Sequence, residues 1–103
     1  MSYLSAKSKL IGEIFMTREF NALRTAKNRL FENKEYIAKV NDFNKKKNAA
    51  KNNDETKAEL EAEYRKLAAI PEINAYFNAA GNMTNFIIAL MNDINNAIEN
   101  NLK

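Results

Sequence analysis

From Ile73 to Ile98 the residues Ile73, Phe77, Ala80, Thr84, Ile87, Met91, Ile94 and Ile98 follow one another at alternating steps of four and three. That spacing keeps one side of a helix facing a neighbouring helix over many turns, as in a heptad seam. Tyr76, Met83, Leu90 and Ala97 repeat every seven beside it, and Phe86 to Met91 is apolar on every side of the helix. Pro71, the one proline, disfavours helical geometry at Ile70 and suits the first turn of a new helix. The break therefore belongs at about residues 69 to 71, with the last helix running to about Asn101. About 30 residues at 1.5 Å each make a rod of roughly 45 Å, longer than a compact monomer of this size can cover. The expected cover is a second copy, in a two-fold dimer or a pair of such dimers. Its expected interface residues are Phe77, Met83, Phe86, Ile87, Leu90, Met91, Ile94 and Ile98. Gly81, within this helix, is expected to permit a close helix crossing or to mark a bend.

The earlier residues are also periodic at three and four, and no stretch alternates as a strand would. Leu4, Leu10, Ile11, Ile14 and Phe15 predict a first short helix, and Thr17 an N-cap for a second carrying Phe20, Leu23, Ala26 and Leu30. Asn33 predicts the cap of a third, with Ile37, Val40 and Phe43 as a narrow apolar edge. Residues 44–54 hold no large apolar side chain and are expected to be a fraying helix end and a loop. Thr56 and Glu59 match a T-x-x-E capping box, predicting a fourth helix with Leu60, Tyr64 and Leu67 on one side. The expected fold class is all-α. It is an antiparallel helical hairpin or bundle of about five helices, forming a single domain over residues 1–103, whose long C-terminal helix is the oligomer interface.

With no cysteine, histidine or tryptophan among 103 residues, the chain lacks thiolate and imidazole metal ligands and the base of a serine–histidine pair. Glu55, Glu59 and Glu63 share a helical face, but a di-metal bundle site also wants Glu-x-x-His motifs, so a solvated acidic face is expected. Gly12 and Gly81 are isolated and make no phosphate cradle. No enzymatic activity and no cofactor are expected. Residues 1–52 carry twelve Lys and Arg against five Asp and Glu, while residues 53–103 carry four against eight. The first half offers a basic patch at Lys39, Lys45, Lys46, Lys47 and Lys51. The alternative function is thus a small RNA-associated protein using this N-terminal surface, although without an aromatic platform such lysines supply mainly phosphate attraction. The opening Met1-Ser-Tyr-Leu-Ser-Ala-Lys lacks the pattern of a signal peptide, and the longest apolar run is too short to span a bilayer. A cytoplasmic location without membrane association is expected.

Two stretches are similar to a known family. Leu10-x3-Ile14-x2-Thr17-x-Glu19-Phe20-x2-Leu23-x2-Ala26-Lys27-x2-Leu30-x2-Asn33-x-Glu35 resembles the opening of the YlbF/YmcA family of small helical regulators from Gram-positive bacteria. Pro71-x-Ile73-x2-Tyr76-x3-Ala80-x2-Met83-x2-Phe86-x7-Ile94-x3-Ile98 resembles its closing helix. The resemblance covers residues 3–102. It implies an antiparallel helical fold that assembles through its last helix as a homodimer or homotetramer, and regulation rather than catalysis. It further implies adapters that bind other regulatory proteins and influence RNA processing, competence, biofilm formation and sporulation. Some members use cysteines in connection with iron–sulfur clusters; this chain has none.

Overall fold

A computed structural model describes residues 2–102. It contains helices α1 (Tyr3–Phe15), α2 (Arg18–Phe31), α3 (Lys34–Ala49), α4 (Asp54–Ala68) and α5 (Pro71–Leu102), with no strand among the described residues. The all-α expectation and the long C-terminal helix are both observed.

Most helix starts are set by single side chains. Ser2 accepts a hydrogen bond from the Ser5 N–H at 3.2 Å and begins α1. The Thr17 hydroxyl donates to the Ile14 carbonyl at 2.7 Å and accepts from the Phe20 N–H at 3.2 Å, so it ends α1 and opens α2. Asn33 accepts from the N–H groups of Glu35 (3.0 Å) and Tyr36 (3.3 Å), filling two of the donors that a first turn leaves unpaired. Pro71 is the first residue of α5, where its missing N–H would have had no intrahelical partner.

Two expectations are corrected between α3 and α4. Residues 44–49 continue α3 rather than fraying, leaving only residues 50–53 as the connection. Lys46 and Lys47 in the last turn of α3 complement the negative end of the helix dipole. Lys46 also reaches Glu63 of α4 at 3.1 Å. The cap of α4 is Asn53, which accepts from the Thr56 N–H at 2.8 Å; Thr56 itself lies inside the first turn, so the Thr56–Glu59 capping box does not form. Two start signals overlapped here. The earlier one also places Asp54 and Glu55 at the positive end of the helix.

The chain divides into two compact units, one made of the described residues of Met1–Arg24 with Ala79–Lys103, the other of Thr25–Asn78. The second unit holds a core of Leu30, Val40, Phe43, Leu67 and Ile73, with Tyr36, Ile37, Leu60, Ile70, Tyr76 and Phe77 packed around it. Phe43 meets Tyr64 at 6.1 Å and Lys46 meets Glu63, so α3 and α4 run antiparallel as a hairpin. The first turns of α5 close this core. Ile73 is fully buried, and the Phe77 ring stacks on Tyr64 at 5.1 Å. Burial of each such side chain contributes about 1.5 to 3 kcal/mol.

The other unit is built differently. No residue of α1 is buried, and among the unit's described residues only Ala79 is. Its aromatic contact is Phe15 against Phe20 at 4.8 Å, with the Arg24 guanidinium 4.9 Å from the Phe20 ring centre. A Cβ added at Gly81 would meet nothing within 4 Å, and α5 is unbroken through it. The expected close crossing at Gly81 is therefore not made within the described chain.

Candidate functional site

The seam of α5 changes character along its length. Ile73 is sealed and Phe77 and Ala80 are half-buried, whereas Met91 is 57% exposed, Ile94 39% and Ile98 53%. Since each seam residue has the same helical orientation, the difference comes from where covering side chains stop. Met83, Phe86, Ile87 and Leu90 are half-buried between these extremes, and Ile88 and Leu102 extend the open apolar surface. Among the eight residues expected at an interface, Phe77 lies against the core of its own unit and the other seven lie on the later turns.

A second open surface lies on α1, where Tyr3, Leu4, Leu10, Ile11 and Phe15 are exposed, as is Met16 just after it. Leu4, Leu10, Ile11 and Phe15 were expected in a helix but given no role. Their signal was nonetheless present, because the seven large apolar side chains of residues 3–16 exceed what one narrow buried stripe of a short helix can hold. Apolar surface concentrated in this way marks interaction sites on proteins, whereas single scattered apolar residues do not.

Polar chemistry is sparse. Among the described residues no polar or charged side chain is buried, and no group of three acidic residues is placed to hold a metal ion. Glu55, Glu59 and Glu63 stay on α4 without converging on such a site. A cleft of about 570 Å³ in the first unit is lined by Arg18, Glu19 and Ala22 of α2 and Asn82, Asn85 and Phe86 of α5. Another of about 350 Å³, beside the Lys46–Glu63 ion pair, is lined by Ala49, Thr56, Glu59 and Leu60. A smaller cleft of about 190 Å³ in the second unit has Leu30, Ile37 and Val40 among its lining, with Lys27, Asn41 and Asn44.

Of the five lysines singled out as a basic patch, two have acidic partners. Lys39 pairs with Glu35 at 3.6 Å and Lys46 with Glu63 at 3.1 Å, which lowers the positive potential at both positions. Lys45, Lys47 and Lys51 are exposed. Phe43, the nearest aromatic side chain in the sequence, is buried in the core and cannot stack a base. No helix among the described residues is long and apolar enough to cross a membrane.

A hairpin core, a long terminal helix and an apolar surface left open define a small all-helical chain. A family model described as control of competence regulator ComK, YlbF/YmcA, matches residues 4–103, essentially the whole chain, and the protein belongs to this family. The family is named for regulation, in line with the regulatory role expected from the resemblance. No curated protein matches the chain, and no solved structure does.

Proposed function

We propose that this protein is a non-catalytic cytoplasmic adapter that self-associates through α5 and controls a regulatory pathway by binding other regulatory proteins. Residues 1–103 are taken as one domain in this reading. The observation that carries it is the apolar surface left open on α1 and on the later turns of α5. Water contact with so many large apolar side chains is unfavourable, and a protein partner removes it. Control of competence is the role in the family's description. RNA processing, biofilm formation and sporulation are the further pathways that the family resemblance implies.

Sedimentation of the purified chain tests the self-association. At micromolar concentration the wild type is expected as a dimer or tetramer. Ile87→Glu or Ile94→Glu is expected to give a monomer or an aggregating chain, since a charge would be buried without a partner. Asn78→Glu, on the exposed polar side of α5, is expected to leave the assembly unchanged. A folded wild-type monomer at that concentration would refute the reading.

A further inference from the structure

The self-association just proposed leaves open how two copies of α5 meet, and the side chains of its exposed segment specify an answer. We infer that residues 84–101 pair with the same residues of a second copy in antiparallel orientation, about a two-fold axis between Asn92 and Asp93. In that register Thr84 stands opposite Asn101 of the second copy, Ile87 opposite its Ile98 and Met91 opposite its Ile94. Every apolar seam residue of the segment meets an apolar one, and the polar Thr84 meets Asn101, which stands one further step of three beyond Ile98 on the same side of the helix. Sliding the copies by one heptad either way breaks this match, placing Asn101 opposite Phe77 or opposite Met91.

The hydrogen bonds within α5 favour the same arrangement. The Thr84 hydroxyl donates to the Ala80 carbonyl at 3.0 Å, so its oxygen is left as an acceptor. The Asn101 amide donates one N–H to the Ala97 carbonyl at 3.1 Å and retains a second N–H to give. Thr84 and Asn101 are therefore complementary. A parallel pair would set Thr84 against Thr84, two acceptors with no donor between them. It would also set the two negative helix ends side by side, with no cation in residues 82–102. The antiparallel register instead sets those helix ends about 25 Å apart along the axis, given 1.5 Å of rise per residue.

The extent of the exposed surface agrees. The seam residues Ile73 to Ala80, covered within the chain, lie outside the paired segment; inside it Ile87 is half-buried, and the strongly exposed Met91, Ile94 and Ile98 all lie there. With Ile88 and Leu102 beside them, two copies bring together on the order of 1,000 Å² of apolar surface, about the minimum of a specific interface.

The chain has no cysteine, so introduced thiols report without background. Full-length Thr84→Cys and Asn101→Cys variants are treated with a short bis-maleimide, each alone and as an equimolar mixture. The mixture is expected to yield covalent dimers and neither variant alone to do so, because like positions lie about 25 Å apart along the axis at 1.5 Å per residue. Ile87→Cys with Ile98→Cys repeats the test on the neighbouring rung and leaves the polar pair intact. Cross-linking of each variant to itself would show parallel pairing and overturn the register while leaving self-association standing. Absence of cross-links in both mixtures, with dimers present in sedimentation, would overturn it equally. A wild-type monomer would instead remove the reading on which it rests.

Discussion

Thr25–Asn78 and the remainder of the chain are both helical and both rich in apolar residues, but they dispose of those residues differently. In the first, Leu30, Val40, Phe43, Leu67 and Ile73 come from four helices and seal one another from water. In the second, α1 buries nothing and the later turns of α5 leave Met91, Ile94 and Ile98 open. The difference follows from connectivity. Short connections such as residues 50–53 fold α3 back on α4, whereas α5 is 32 residues long and only its first turns reach the core. One unit thus seals its apolar residues and the other leaves many of them open, and substitutions that separate folding from the proposed association can break that division.

The largest expected effect is in the core. Ile73→Ala should lower the unfolding free energy by about 2 to 5 kcal/mol, through lost transfer energy and the cavity left behind. The loss should be the same at every protein concentration. Ile98→Ala, on the open seam, should change stability only where the chain is concentrated enough to associate. Denaturant titrations at low and high protein concentration check both. A concentration-independent loss at Ile98 as large as that at Ile73 would abolish the contrast.

A smaller effect probes how the hairpin begins. Asn53→Ala removes the side chain that holds the Thr56 N–H and should cost about 1 kcal/mol. Thr56→Ala should cost a few tenths, since its hydroxyl caps nothing and helix propensity favours alanine. The reverse ranking in thermal unfolding would restore the capping box and the later helix start. Neither substitution should alter self-association, because both residues belong to the sealed unit.

The same contrast explains what was legible in the sequence. Thr17, Asn33 and Pro71 act on the backbone within three or four residues, so their local signals were sufficient to place three helix starts. Asn53 was overlooked because Thr56 and Glu59 also form a valid start signal. Fraying was expected over residues 44–49 because they lack large apolar side chains, and the Lys46–Glu63 pair that accompanies their regular helical course is a contact between elements. The apolar side of α5 was readable from its heptads. Where intrachain cover stops was not, since periodicity gives direction around a helix but not the reach of its neighbours. Phe77 accordingly carries the seam pattern yet belongs to the core, and Ile88 was not among the seam positions although it stands open.

The smallest expected effect sharpens the comparison most closely. Gly12 and Gly81 both lie inside helices of the exposed unit, neither has a positive φ, and a Cβ at either would meet nothing within 4 Å. Replacing glycine by alanine in such a helix removes backbone freedom from the unfolded chain and adds no clash. Each substitution should therefore stabilise the fold by about 0.5 to 1 kcal/mol. In a chain of this size that is a rise of roughly 2 to 8 °C in Tm. The two glycines differ in one respect, namely that Gly81 lies one turn ahead of Thr84, at the edge of the proposed paired segment, while Gly12 is on another helix. If pairing begins at Thr84, Gly81→Ala and Gly12→Ala should raise Tm alike and leave the dissociation constant of the assembly unchanged. A Gly81→Ala chain that is more helical but associates more weakly would show that a second copy packs against the bare backbone at Gly81. The paired segment would then extend toward the core, and the boundary between the sealed and open parts of α5 would have to move with it.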